Sequence, residues 1–249
     1  MKKDRIDLLL CARGLADSRT RAQAIIMSGI VIAGGKKVEK PSELFPPDVE
    51  IRIKDGGFEA KYVSRGGLKL EAALESFNVD VSDKVCLDIG SSTGGFTDCL
   101  LQHGAAKVVA IDSGTNQMVW KLRIDPRVRL LERTNARYLR PDDFSERFDL
   151  VVMDVSFISV RKIIPAARPL MSENGRMIVL IKPQFEVGKG EVGKGGIVRD
   201  IDKHSRVIDE INTFATDYGL APRGVIESPI RGADGNKEFL ALYESEPGG

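Results

Sequence analysis

Alternation constrains this chain more than any other feature. After a helical stretch, SRGGLKLEAALESF (64–77), a series of short apolar runs reads as strands: VCLDIG (85–90), KVVAID (107–112), VRLLER (128–133), FDLVVMD (148–154) and GRMIVLIK (175–182). Helical pieces separate some of them, one starting at Gly94, one over SVRKIIPAARPLM (159–171) and a long one near 202–218. Strands alternating with helices give a mainly parallel, doubly wound α/β sheet. The end breaks the rhythm. LAPRGVIESPI (220–230) and KEFLALYE (237–244) are joined by RGADGN, too short for a helix, so the last two strands form a hairpin.

The first sixty residues differ in charge and texture. Residues 1–40 hold nine Lys/Arg against four Asp/Glu, and residues 41–60 two against five. Two helical periods, RIDLLLCARGL and SRTRAQAIIMSG, are followed by strand-like IVIAG, KKV and VEIRI, separated by Gly34-Gly35 and by KPSELFPPD. Ser18 is the expected N-cap of the second helix and Gly29 its stop. This predicts a small α+β domain over 1–57, a glycine-flanked linker at 58–63 within DGGFEAKYVSRGG, and a large domain over 64–249. Arg5, Arg13, Arg19, Arg21, Lys36 and Lys37 meet phosphates if they share a face; a solvated helix surface is the plainer reading.

Totals exclude several classes. The net charge of +1 gives no whole-molecule attraction for a polyanion, so a nucleic-acid surface has to be local. Cys11, Cys86 and Cys99 are odd in number and lack metal-ligand spacing, which reads as a reducing cytoplasm. Two histidines, His103 and His204, exclude a His-rich metal site. No apolar run reaches the ~18–20 residues that cross a bilayer, so a soluble cytoplasmic protein without a membrane or DNA partner is expected.

Chemistry concentrates in CLDIGSSTGGFTDCL (86–100), a strand turning tightly into a helix. A dinucleotide fingerprint wants a second glycine where Ser92 stands, and a P-loop wants Gly-Lys-Ser/Thr where Gly-Gly-Phe stands. S-adenosylmethionine (SAM) needs backbone room for its methionine tail, offered by Gly90, Gly94 and Gly95 beside Ser91 and Phe96, and an acid for its ammonium, Asp88. Asp112 is placed to accept both ribose hydroxyls, a feature shared with NAD sites, and Asn135 to meet the adenine edge. Asp154 and Lys182 close neighbouring strands at the rim where such sheets bind ligands. Alone they read as a rim ion pair, and Lys69 and Glu238 alone as surface charges.

The residue patterns also carry resemblances. RIDLLLCARGLADSRTRAQAIIMSGIVIAGGKKVEKP resembles the S-four type RNA-binding domain. A final antiparallel strand on a seven-stranded, Rossmann-like sheet resembles SAM-dependent methyltransferases. Lys69, Asp154, Lys182 and Glu238 resemble the Lys-Asp-Lys-Glu tetrad of FtsJ-like RNA ribose 2'-O-methyltransferases. With YVSRGGLKL, VVMDVSFIS, LIKPQFE and VGKGGIVRD, nearly the whole chain resembles the TlyA family of rRNA 2'-O-methyltransferases, many of which are labelled haemolysins.

The resemblance implies methyl transfer from SAM to a cytidine ribose in 23S rRNA, and in some members also 16S rRNA, with rRNA or a ribosomal subunit as partner; no residue spacing suggests a metal in the transfer step. Lys182 is then the base, with Asp154 and Glu238 orienting it and the nearby Lys69 ammonium favouring its neutral form. Arg65, Lys189 and Lys194 join the RNA-binding set, the last two in EVGKGEVGKGGIVRD (186–200), read as a lid or as a solvated loop. Phe157 is read as stacking on a flipped base or as rim packing. An rRNA-binding module without turnover and a membrane-active haemolysin are the rivals. The intact tetrad opposes the first, and the lack of a spanning or cationic amphipathic segment opposes the second.

Overall fold

The computed structural model describes residues 3–16, 18–27, 29–53, 61–188, 190–232 and 235–246, apart from the side chains of residues 24 and 194. The chain divides into two compact units, residues 1–61 and 62–249. Of the six residues read as linker, 58–60 lie outside the described residues, and Tyr62, 2% exposed, is packed into the second unit.

In the first unit, helix α1 (Ile6–Ala12) buries Ile6, Leu9 and Leu10, and α2 (Arg19–Met27) buries Ala22, Ile25 and Ile26. Both sets follow the i, i+3, i+4 spacing of one helical face. Ser18 accepts the Arg21 N–H at 3.2 Å, and Gly29, at φ +72°, sends its N–H back to the Ile26 carbonyl, so the expected cap and stop both form. Strands β2 (Val31–Ala33), β3 (Lys36–Lys37) and β5 (Ile51–Ile53) make an antiparallel sheet in the order β3-β2-β5. KPSELFPPD is more than a separator: its β4 (Leu44–Phe45) pairs with β1 (Asp4–Arg5).

The second unit is a seven-stranded sheet, β11-β12-β10-β9-β6-β7-β8. Its strands are β6 (Val85–Ile89), β7 (Lys107–Ile111), β8 (Val128–Leu131), β9 (Phe148–Met153), β10 (Met171–Ile181), β11 (Leu220–Glu227) and β12 (Phe239–Ser245). β12 runs antiparallel to both of its neighbours, β10 and β11, and the remaining pairs are parallel. Period-two alternation splits the core into two layers. Cys86, Val108, Leu150, Val152, Ile178 and Leu180 face helices α3 (Gly66–Ser76) and α4 (Gly95–Gln102) with the short α5 (Trp120–Arg123). Leu87, Val109, Val151, Met177 and Val179 face α6 (Ile164–Ala167) and α8 (Ile201–Asp217). Covered on both faces, these strands are apolar almost throughout, which is why they were conspicuous.

One expectation fails. The helix read over 159–171 is a 3₁₀ turn at Val160–Lys162, the four residues of α6 and a second 3₁₀ turn at Arg168–Leu170. Pro165 and Pro169 lack the amide hydrogens that a continuous helix needs, and Met171 already begins β10. No helix among the described residues is long and apolar enough to cross a membrane.

Candidate active site

Strand ends assemble the site. β6, β9 and β10 run parallel and finish at one rim of the sheet, delivering Gly90, Asp154 and Lys182. β12 begins at that rim: Ile181 pairs with Phe239, so the next step of the antiparallel ladder sets Lys182 opposite Glu238.

The glycine turn is tight because the protein itself crowds it. Gly90 has φ +87°, and a Cβ there would collide with the Asp154 carbonyl oxygen. A Cβ at Gly94 (φ +98°) would enter the Leu122 side chain, and one at Gly95 would strike the Ser64 hydroxyl and press on the Gly67 amide at 3.0 Å. Phe96, 3% exposed, belongs to the core beneath α4. Gly94, Gly95 and Phe96 seat α4 against α3 and α5, so close approach between protein segments is one reason for these glycines, alongside the cofactor contact expected of them.

A cavity of about 490 Å³ opens beside the turn, within the usual range of about 300–1,000 Å³ for ligand pockets. Gly90, Asp112, Asn135 and Asp154, four of the residues expected to hold the cofactor, line it. Asp112 accepts the Ser92 N–H at 2.8 Å on one oxygen and the Gly114 N–H at 2.7 Å on the other, which fixes the carboxylate and leaves each oxygen a second lone pair. Asn135 Oδ1 accepts from the Arg137 backbone and guanidinium. Ser92 and Gln117 also line the cavity and are hydrogen-bonded to each other at 3.1 Å. Sequence reasoning missed both, and Ser92 was visible only as a non-glycine in a glycine turn. Two larger open clefts, of about 670 Å³ along α8 and about 710 Å³ around Asp80, Asp149 and Glu173, contain none of the tetrad.

Asp88 and Ser91 lie under the turn, 0% and 4% exposed. Asp88 Oδ2 accepts the Thr97 hydroxyl at 2.6 Å, while Asp88 Oδ1 and Ser91 Oγ are buried with no hydrogen-bond partner among the described residues. Burial pushes the Asp88 carboxyl up to about 7, against the Thr97 hydrogen bond, and the charge of Asp154 adds to the rise. Asp88 is not among the residues that line the cavity; its unpartnered oxygen, two residues before Gly90, suits a cationic donor.

The four tetrad residues resolve into two ion pairs. Lys182 Nζ lies 2.6 Å from Asp154 Oδ1 and donates to Ser156 Oγ at 2.8 Å. Lys69, from α3, lies 2.5 Å from Glu238 Oε2. Each ammonium has its own carboxylate, so Lys69 acts on Lys182 less directly than the sequence reading assumed. Exposure separates the pairs: the Asp154 side chain is 21% accessible and that of Glu238 only 3%. Of the four, Asp154 lines the cavity, and Glu238 is the most deeply buried. Removing one partner of a buried pair costs about 3–5 kcal/mol.

The segment after Asp154 forms the cavity's lip. Phe157 is 91% exposed at φ +65°, its ring centroid 5.3 Å from that of Phe185, so rim packing leaves most of the ring in solvent. Glu186, on α7 (Pro183–Glu186), pins the far end of the lip by accepting the Ser159 hydroxyl at 2.6 Å and the Val160 N–H at 2.8 Å.

The glycine–lysine loop is anchored rather than loose over its described part. Asn236 Nδ2 donates to the Gly196 carbonyl and Asn236 Oδ1 accepts from Val198, while Arg206 and Lys203 hold Glu191. Lys189 lies outside the described residues, as does the side chain of Lys194.

The expected phosphate contacts divide into two groups. Arg5 and Arg19 both donate to the fully buried Asp7, and Arg13 donates to the Val49 and Pro47 carbonyls, so these three also hold the fold. Lys36 and Lys37 are exposed on β3, Arg21 is half-buried, and Arg65 is exposed just before α3.

Comparison with known proteins gives concordant results. The family description "FtsJ-like methyltransferase" matches residues 62–244 and "S4 domain" matches residues 4–51. The chain is 44% identical, over 98% of its length and 91% of the relative's, to the 16S/23S rRNA (cytidine-2'-O)-methyltransferase TlyA of Mycobacterium tuberculosis. It is 42% identical to hemolysin A of Brachyspira hyodysenteriae, over 96% of this chain and 99% of the other. A solved Streptococcus thermophilus structure carrying a hemolysin label superposes with a TM-score of 0.77 at 45% identity, covering 99% of this chain and 90% of that one.

Proposed function

The chain belongs to the FtsJ-like methyltransferase family, and from that premise we propose that it transfers a methyl group from SAM to the ribose 2'-hydroxyl of a cytidine in 23S ribosomal RNA, the substrate common to the names of its M. tuberculosis and Campylobacter jejuni relatives. The observation that carries the reading is the Lys182–Asp154 pair, whose carboxylate lines a ligand-sized cavity, with the unpartnered Asp88 Oδ1 two residues before the Gly90 that lines the same cavity.

Asp88 Oδ1 and Ser91 Oγ would hold the amino-acid end of SAM, Asp112 its ribose hydroxyls and Asn135 its adenine, with Gly90 and Asp154 forming the wall between. When bound, SAM supplies a methyl carbon on a positive sulfur, the broken bond's electron pair staying with sulfur. The rest falls to the chain. A ribose hydroxyl is a weak nucleophile near neutrality, so its proton has to leave as it attacks. Lys182 Nζ takes it: the O–H bond breaks, an N–H bond forms, and the freed oxygen pair makes the new bond to the methyl carbon. Asp154 then stabilises the ammonium that forms. Lys69 and Glu238 keep the adjoining ground charge-balanced and rigid.

Phe157 is the stacking platform for the target base. Its ring is held in solvent by a backbone conformation that costs about 1–3 kcal/mol, a strain that packing alone leaves without compensation. The S4 domain supplies the basic surface, through Lys36, Lys37 and Arg21, that engages structured RNA by shape and backbone. An enzyme of this kind works where ribosomal subunits are, in the cytoplasm.

The test is transfer of tritiated methyl from SAM to ribosomal subunits and extracted rRNA, wild type beside Lys182→Ala, with the label mapped to ribose or base. Label on a cytidine 2'-oxygen, lost in the variant while SAM still binds, is the expected result. Label on a base, or turnover surviving the substitution, overturns the reading.

A further inference from the structure

We infer that Ser156 is a positioning residue for the transfer, directing the free electron pair of Lys182 toward the substrate hydroxyl. This rests on the proposed role of Lys182 as base.

A neutral amine has two hydrogens and one lone pair around nitrogen. Two oxygens lie against Lys182 Nζ, Asp154 Oδ1 at 2.6 Å and Ser156 Oγ at 2.8 Å. Each draws one hydrogen, and the lone pair takes the one tetrahedral direction left. With Asp154 alone, rotation about the Cε–Nζ bond would let the lone pair and the second hydrogen exchange places. Ser156 removes that freedom. The charged groups on the neighbouring elements are Asp154 at the end of β9, the Lys69–Glu238 pair from α3 and the start of β12, and Asp88 on β6, whose carboxyl feels the charge of Asp154.

The serine is itself held. At one end of its segment Asp154 N–H donates to the Ile89 carbonyl at 3.0 Å, and at the other Glu186 grips Ser159 and Val160. Only five residues separate Asp154 from Val160, so neither end can slide far without breaking these bonds. Ser156 and Asp154 both line the cavity proposed to hold SAM, which places the directing group beside the methyl donor.

The hydrogen bond does a second thing. Ser156 accepts from Lys182 most strongly when the lysine is charged. Its loss therefore leaves the amine more open to acylation in the enzyme alone, even as the rate of transfer falls.

The experiment compares wild type, Ser156→Ala, Ser156→Thr and Lys182→Ala on the same ribosomal substrate, each as the full chain. Ser156→Ala is expected to lower kcat about 10- to 100-fold, the loss of one hydrogen bond to a charged group, with KM for RNA and Kd for SAM within twofold of wild type. Ser156→Thr, which keeps the hydroxyl, recovers most of the rate. A readout without turnover accompanies it: in the enzyme alone, acetic anhydride should label Lys182 faster in Ser156→Ala than in wild type at pH 7, as measured by mass spectrometry of its peptide. Unchanged kcat and labelling in Ser156→Ala, with Lys182→Ala inactive, overturns the inference and leaves the base intact. If Lys182→Ala keeps full activity, the underlying reading is the one that fails.

Discussion

Replacing Asp88 by Asn should stabilise the protein, and by an amount that depends on pH. In the folded chain burial holds the Asp88 carboxyl near pH 7, whereas in the unfolded chain it titrates near about 3.9. Between these values the folded state keeps a proton that the unfolded state has lost, so rising pH destabilises the fold. The slope is about 1.4 kcal/mol per pH unit, and over an interval of about 3 units the accumulated cost is about 4 kcal/mol. Above pH 7 both states are ionised and the cost stays constant. Asn does not titrate, and other groups cancel between the two proteins. The difference in unfolding free energy, variant minus wild type, should therefore widen through pH 5, 6 and 7 and flatten by pH 8. The buried amide that Asn brings subtracts a constant of about 1–3 kcal/mol without altering the slope. Urea titrations at those four pH values, in the absence of SAM, measure it. A difference that stays level from pH 5 to 8 refutes the reasoning. The same substitution removes the acid proposed to meet the SAM ammonium, so the stabilised variant should bind SAM more weakly.

Two other substitutions probe the turn and the lip. Gly95→Ala drives a methyl into Ser64 and the Gly67 amide, an overpacking expected to cost about 1–3 kcal/mol in urea denaturation; a neutral result would mean that α3 can move aside. Phe157→Gly should do two opposite things: release the strain at φ +65° and raise the melting temperature slightly, while KM for RNA rises about 10-fold or more through lost stacking and Kd for SAM stays put. An unchanged KM would remove Phe157 from the substrate contact.

The sheet was legible because parallel strands covered on both faces are runs of apolar residues, and β6, β7, β9 and β10 are such runs. The stretch 159–171 misled because its apolar spacing is helical while two prolines remove the hydrogen bonds that spacing requires. The tetrad was visible as four residue types, but which carboxylate meets which ammonium depends on the register of β12 against β10, and no local pattern encodes it. The three glycines announced a close approach without saying to what; Asp154, Leu122 and Ser64 lie far along the chain or on another element. Ser156 gave no signal, since a serine in a polar loop is ordinary. Asp7 did give one: an acid inside the apolar run RIDLLL, whose burial claims Arg5 and Arg19 before any phosphate can.

β12 is the last strand of the sheet to be synthesised, yet it occupies an interior place between β10 and β11. A nascent chain that has made everything up to β11 has nothing to join that strand to the sheet, and β10 waits with an open edge. The Lys69 ammonium is at that stage buried without its counter-ion, because Glu238 arrives with β12. Completion is therefore a closing step. A copy cut short before residue 239 exposes two unpaired edges of the kind that proteases and chaperones seize. The tetrad is thus complete only after β12 has been made and paired.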